Sequence, residues 1–151
     1  MSLIDTATAK LHLRVDGSAE DSLFAIYLPA ADATAQHYAG RNFYADQTAL
    51  DAAQAAAPAA LAAAVVAYDA AIEAADAMED GPDRDAAIEV AEAALATAQQ
   101  DHRMAMRGMV VTEVVKSALL LTVAALYENR GDLKEVPPAA GALLDTVKVY
   151  G

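Results

Sequence analysis

The sequence predicts an all-α fold: a small helical bundle into which an antiparallel helical hairpin is set. Three observations carry that reading. Apolar residues recur at helical spacing through most of the 151-residue chain. Alanine, the strongest helix former, is in great excess. The periodic segments are long and bounded by cap and turn residues. The hydrophobic fraction is 56%, but alanine buries little area, so the core is smaller than that figure suggests.

Residues 5–13, DTATAKLHL, read as a first helix with Asp5 or Thr6 as N-cap. Asp16-Gly17 is a turn signal, and Ser18 with Asp21 three residues on is a capping-box variant. A second helix is expected over 19–39. Leu23, Tyr27, Ala30, Thr34 and His37 form its stripe, widened by Phe24, Leu28, Ala31 and Tyr38. Pro29 predicts a kink or a break, and Gly40 suits the left-handed residue after the helix. RNFYAD, 41–46, reads as an ordered connection with room for a short extended piece.

Residues 47–108 change character. In 47–106, 25 of the 60 residues are alanine, and the stretch is acidic. Two helical arms are expected, about 58–79 and 83–106, split by Glu79-Asp80-Gly81-Pro82-Asp83. Leu61, Val65, Tyr68, Ile72 and Ala75 alternate spacings of four and three, as do Ile88, Ala91, Leu95, Ala98, His102 and Ala105. That is a heptad seam in each arm. Pro58 suits the first position of the first arm, leaving 47–57 as a separate short helix. Asp83 and Asp85 suit the first turn of the second arm.

A long helix is expected over 110–130. From Ala118 to Leu126 it is apolar nearly all round, apart from Thr122. Such a helix needs neighbours on most sides, and a few short helices would not cover it, so a neighbouring subunit is expected to help. Gly131 is placed as its left-handed C′ residue, and Arg130 suits the negative end of the helix dipole. A short helix follows at 139–146. The end, VKVYG, is strand-like and could add to a partner's sheet edge.

The formal charge of −12 disfavours a nucleic-acid clamp and docking on anionic lipid. There is no cysteine, hence no disulfide and no thiolate site. MSLIDTATAK lacks the pattern of a signal peptide, and the apolar run 117–127 is too short for a bilayer, so no membrane role is expected. His12, His37 and His102 have no partner at metal-ligand spacing, and His37 and His102 fall on expected packed faces. The acids Glu79, Asp80, Asp83 and Asp85 surround a turn without the pattern of a calcium loop. No phosphate loop or nucleophile elbow occurs. Tyr127, Glu128, Asn129 and Arg130 are consecutive, so they point around a helix rather than at one substrate. They read as a structural closure: a tyrosine anchor and an arginine reaching a nearby carboxylate or carbonyl. No enzyme, metal or cofactor is expected.

Two stretches resemble the head–tail connector (adaptor) family of tailed bacteriophages. The first is AKLHLRVDGSAEDSLFAIYLPAADATAQHYAGRN, residues 9–42; the second is VVKSALLLTVAALYENRGDL, residues 114–133, followed by VPPAAGALLDTVKVY. Residues 47–108 depart from the family pattern and read as an Ala-rich insertion in one connector domain spanning 1–151. The resemblance implies a non-enzymatic homo-oligomer, commonly a dodecameric ring, at the head–tail interface of a virion and made in the host cytoplasm. It implies the portal protein and a tail or stopper protein as partners, with DNA passing through the lumen unbound. It also implies that the C-terminal segment, here Val147, Lys148, Val149, Tyr150 and Gly151, meets the portal. Two rival readings stand beside it: a self-associating coiled-coil module with no virion role, and a small enzyme using the acidic cluster with His102.

Overall fold

The computed structural model describes residues 2–130 and 135–150. Six helices and one two-residue strand pair follow in the order α1 (Thr6–Leu13), α2 (Asp21–Ala39), β1 (Phe43–Tyr44), α3 (Gln47–Asp76), α4 (Pro82–Met106), β2 (Met109–Val110), α5 (Glu113–Glu128) and α6 (Pro138–Leu144). The fold is all-α, as the periodicity predicts. Two compact units form: residues 1–50 with 107–151, and residues 51–106.

In the first unit α5 is the central helix, packed by α6, α2 and α1. Asp5 caps α1 by accepting from the Thr8 N–H at 2.7 Å, which holds its carboxyl below the usual range. Thr112 caps α5 by accepting from the Val115 N–H. The core draws Phe24, Leu28, Ala31 and Ala35 from α2, Val115, Ala118, Leu119 and Val123 from α5, and Ala140 and Leu144 from α6. Small residues on α2 let α5 approach closely. Thr122 is buried within this core and donates its hydroxyl to the Ala118 carbonyl, 2.9 Å away, so no polar group is stranded.

Several expectations are corrected here. The buried face of α2 is Phe24, Leu28, Ala31, Ala35 and Ala39 with Tyr27, while Leu23 and His37 are exposed. Both stripes have helical period; the tertiary contacts choose the one with the smaller residues. α2 runs unbroken through Pro29, at the cost of one backbone bond. The proposed Ser18–Asp21 capping box does not form: Glu20 is the N-cap, without a side-chain bond. The long helix begins at Glu113, because Met109 and Val110 pair in parallel with Phe43 and Tyr44. The left-handed residue at its end is Arg130, with φ 54°; Gly131 lies outside the described residues. The C-terminal residues 147–150 form no strand.

The expected shortage of cover on α5 is also reduced. Leu119, Thr122, Val123 and Leu126 are buried, and Leu120, Leu121, Ala124 and Ala125 are half-buried. Leu120 and Leu121 pack against the core of their own chain. Three short helices therefore cover more of this segment than its composition suggests.

The second unit is a pair of helical arms joined by a turn over residues 77–81. Ala57, Ala75, Ala91 and Ala105 are its buried positions. Leu61, Tyr68, Ile72, Ile88, Leu95, Ala98 and His102 are half-buried along the expected seam, whereas Val65 is exposed. Pro58 does not start a new helix: α3 is continuous from Gln47, contrary to the separate 47–57 helix expected. The reason is the seam itself. Ala57, about one turn before Leu61, is buried, and Gln54 donates its amide to the Met106 carbonyl at 3.2 Å. Pairing with the end of α4 outweighs the single bond that Pro58 forfeits. At the turn, Arg84 bridges Asp76, at 2.8 Å, and Asp80, and these carboxylates raise the guanidinium's pKa.

Among the described residues α3 is the one helix long and apolar enough to suit a bilayer by length and composition, with mean hydropathy 1.7 in its best window. That figure is alanine's. Asp51, Asp69, Glu73 and Asp76 lie along the same helix, and carboxylates are costly at bilayer depth.

Candidate functional site

The closure of α5 and the C-terminal tail are the two sites the sequence singles out. Both lie in the first unit.

The tyrosine of the closure is anchored. Tyr127 stacks on Phe24, ring centroids 5.8 Å apart and planes 14° from parallel. Its hydroxyl donates to Glu20 Oε2 at 2.6 Å. This charge-assisted bond, together with partial desolvation, holds the phenol above its usual pKa. The end of α5 is thereby tied to the start of α2. Asn129 turns back and its side-chain amide donates to the Ala125 carbonyl at 2.8 Å, beside the Asn129 backbone N–H that donates to the same oxygen at 3.0 Å. Glu128 and Arg130 are exposed. Arg130 forms no ion pair among the described residues, so its expected reach to a carboxylate is not seen there. Tyr127, Glu128 and Arg130 do share a shallow cavity of about 600 Å³ with Glu20, Leu23 and Tyr27. Among its described lining residues there is no nucleophile–base pair. Glu20 is the residue that sequence reasoning missed, because nothing local marks it as the partner of a residue 107 positions away.

The tail lies across the C-terminal end of α2. The Val149 N–H donates to the Ala39 carbonyl at 2.9 Å. The Lys148 ammonium sits 4.0 Å from the centre of the Tyr38 ring and 5.7 Å from that of Tyr150. Tyr38 in turn donates to Asp145 at 2.9 Å, and that carboxylate raises the phenol's pKa. Gly40 completes the seat. Its φ is +68°, and a Cβ there would come within 3.1 Å of the Val149 carbonyl oxygen. Val147, Lys148 and Val149 are half-buried and Tyr150 is exposed; Gly151 lies outside the described residues. Tyr38, Gly40 and Asp145 were not expected as parts of a tail seat.

A third feature was also missed. Asp32 is buried on α2, where its carboxylate accepts from the Ser2 hydroxyl at 2.6 Å and the Leu3 N–H at 3.1 Å. Burial raises its pKa although both bonds lower it. It clasps the N-terminal segment whose Ile4 enters the core.

Among the described residues no group of three or more His, Asp or Glu could hold a metal ion. His102 is half-buried, with its Nδ1 unpartnered among the described residues; His12 and His37 are exposed. Of the acids around the turn, Asp80 pairs with Arg84, and Asp83 and Asp85 lie in the first turn of α4.

The chain belongs to the phage gp6-like head-tail connector family, whose model matches residues 4–113. This is a family of structural phage proteins, components of the junction between head and tail. The matched span runs from α1 through both hairpin arms and ends at the start of α5, so Tyr127–Arg130 and the tail lie beyond it. Comparison with curated proteins and with solved structures gives no match.

Proposed function

We propose that this connector acts as a ring below the portal of the filled capsid, extending the DNA channel and joining head to tail. The observation that carries this is membership of the head–tail connector family over residues 4–113. The portal and a tail or stopper protein are its partners, and the ring is a dodecamer in the virion neck. DNA passes through without being held: twelve copies at −12 each carry −144 formal charges, which disfavours phosphate contact.

Residues 147–151 make the portal contact in this reading. Among the described residues, one backbone bond and one cation–π contact join them to α2, and Val147 packs against the core, a small set to exchange for a partner. Residues 47–108 are an inserted helical hairpin in a single connector domain. The support for that is local: Val111 donates to the Tyr44 carbonyl at 2.8 Å, so the chain returns beside the strand it left.

Electron microscopy of the assembled neck tests the ring and its copy number. Co-sedimentation with portal, comparing the full chain with one truncated after Thr146, tests the tail. A full-strength complex without residues 147–151 would remove the tail from the contact. Absence of any ring in the neck would favour the self-associating module instead.

A further inference from the structure

The cavity beside the N-terminal clasp carries hydrogen-bond acceptors that the fold leaves unused. It measures about 410 Å³, and Ser2, Ala25, Pro29, Asp32, Ala33 and Gln36 are among its walls. Asp32 is 9% exposed, the one buried acid among the described residues. The Ser2 hydroxyl and the Leu3 N–H both reach the same oxygen, Oδ2. Among the described residues Oδ1 receives no donor. The unpartnered side-chain atoms that are sealed from solvent belong to Arg41, Arg84 and His102, so Oδ1 opens on the cavity. Pro29 supplies a second acceptor. It has no N–H, so the Ala25 carbonyl one turn before it lacks its helical donor. Gln36 is committed elsewhere: its Oε1 accepts from the Phe43 N–H, and its Nε2 donates to the Asp32 carbonyl. No lysine or arginine lines the cavity, and Asp32 forms no ion pair among the described residues. The chain's own amino group is the weakest influence on the Asp32 pKa, behind desolvation and the two bonds.

We propose that this cavity binds a guanidinium or ammonium group carried on an aliphatic stem. The acceptors select the head. One carboxylate with neutral oxygens suits N–H donors, whereas a divalent metal takes several anionic ligands. Among the described residues no group of three or more His, Asp or Glu could hold one. Exposed carboxylates elsewhere on the chain hold a cation weakly, because water screens them. Asp32 offers a charge-assisted bond at a site where the dielectric is lower. The rim selects the stem. Ala25, Pro29 and Ala33 are exposed, and Ile26 beside them is 63% exposed. Methylenes lie along such a surface while the charged head reaches the oxygens. Two sources carry this group: a lysine or arginine side chain of another protein chain, and a free alkylamine. The site does not rest on the connector reading.

The probe is n-butylguanidinium, with n-butylurea as its uncharged counterpart, titrated into the isotope-labelled full chain. Saturable shifts of the Ala25, Asp32 and Ala33 amides are expected, with affinity for the cation at least roughly ten-fold above that for the urea. Asp32→Asn keeps an oxygen for Ser2 and Leu3 but removes the charge, and should bring the cation down to the level of the urea. Pro29→Ala restores an N–H to the Ala25 carbonyl, and should weaken binding roughly two-fold or more while Leu3 amide protection is retained. N-acetylarginine amide separates the sources. Binding as tight as that of butylguanidinium assigns the group to a protein side chain, and exclusion of this probe alone assigns it to a free amine. Equal response to cation and urea overturns the proposal. So does unaltered affinity in Asp32→Asn, or a response spread over exposed acids such as Asp69 and Glu89 with no saturation at the cavity.

Discussion

Gly40→Ala isolates the energy of the tail seat. An alanine at φ +68° carries a left-handed backbone cost of about 1–2 kcal/mol. The loss of glycine's freedom in the unfolded chain offsets about 0.4–1 kcal/mol of that. Gly17 supplies the control, since its φ is +77° and a Cβ there meets nothing within 4 Å. Gly17→Ala should therefore show the backbone difference alone, between about 0 and about 1.6 kcal/mol. At Gly40 the new Cβ also presses on the Val149 carbonyl oxygen at 3.1 Å. The tail must shift, and the Val149–Ala39 bond weakens or breaks, adding about 0.5–1.5 kcal/mol. Thermal melts of both variants give the comparison. For a chain of this size each 1 kcal/mol moves the midpoint by about 2–4 °C. Hydrogen exchange at the Val149 amide gives the local readout, and its protection should fall in Gly40→Ala but not in Gly17→Ala. Equal melting of the two variants, with Val149 protection retained in both, would refute the seat.

Three other perturbations test the rest of the first unit. Tyr127→Phe keeps the stack on Phe24 and loses the bond to Glu20, so it should melt below the parent but above Tyr127→Ala. Combining Tyr127→Phe with Glu20→Gln should cost less than the two singles summed, and strict additivity would deny the bond. The Asp32 carboxyl titrates above its unfolded value, so its contribution is fully present below that value and lost as pH rises through the folded one. Asp32→Asn should therefore gain on the parent as pH is raised from 4 to 7 in paired melts, and a gap that narrows would contradict the assignment. Replacing residues 51–106 by a short flexible linker should leave a cooperative melt and native near-ultraviolet dichroism; loss of both would show that the hairpin is not an insertion.

How much was legible differs from element to element. The helices announce themselves through local chemistry: Asp5 caps α1, Gly40 ends α2, and Gly81-Pro82 turns the hairpin. Those devices act within a few residues, so a linear reading finds them. Pro29 and Pro58 mislead for the same reason. A proline's local cost is known, but whether a helix bears it depends on what the flanking turns pack against. The stripe on α2 misleads too, because two adjacent faces carry helical periodicity and only contact with α5 chooses Phe24 over Leu23.

What the residue order determined alone is the all-α class, the hairpin seam, the acidic balance and the absence of any cysteine chemistry. All are set by composition and by spacings shorter than one heptad. Only the tertiary structure decided that Tyr127 meets Glu20, that Asp32 clasps Ser2, and that Lys148 rests on Tyr38. Each of these joins residues 30 or more positions apart. Contacts at such range come from which surfaces exclude water together, and no local pattern encodes that.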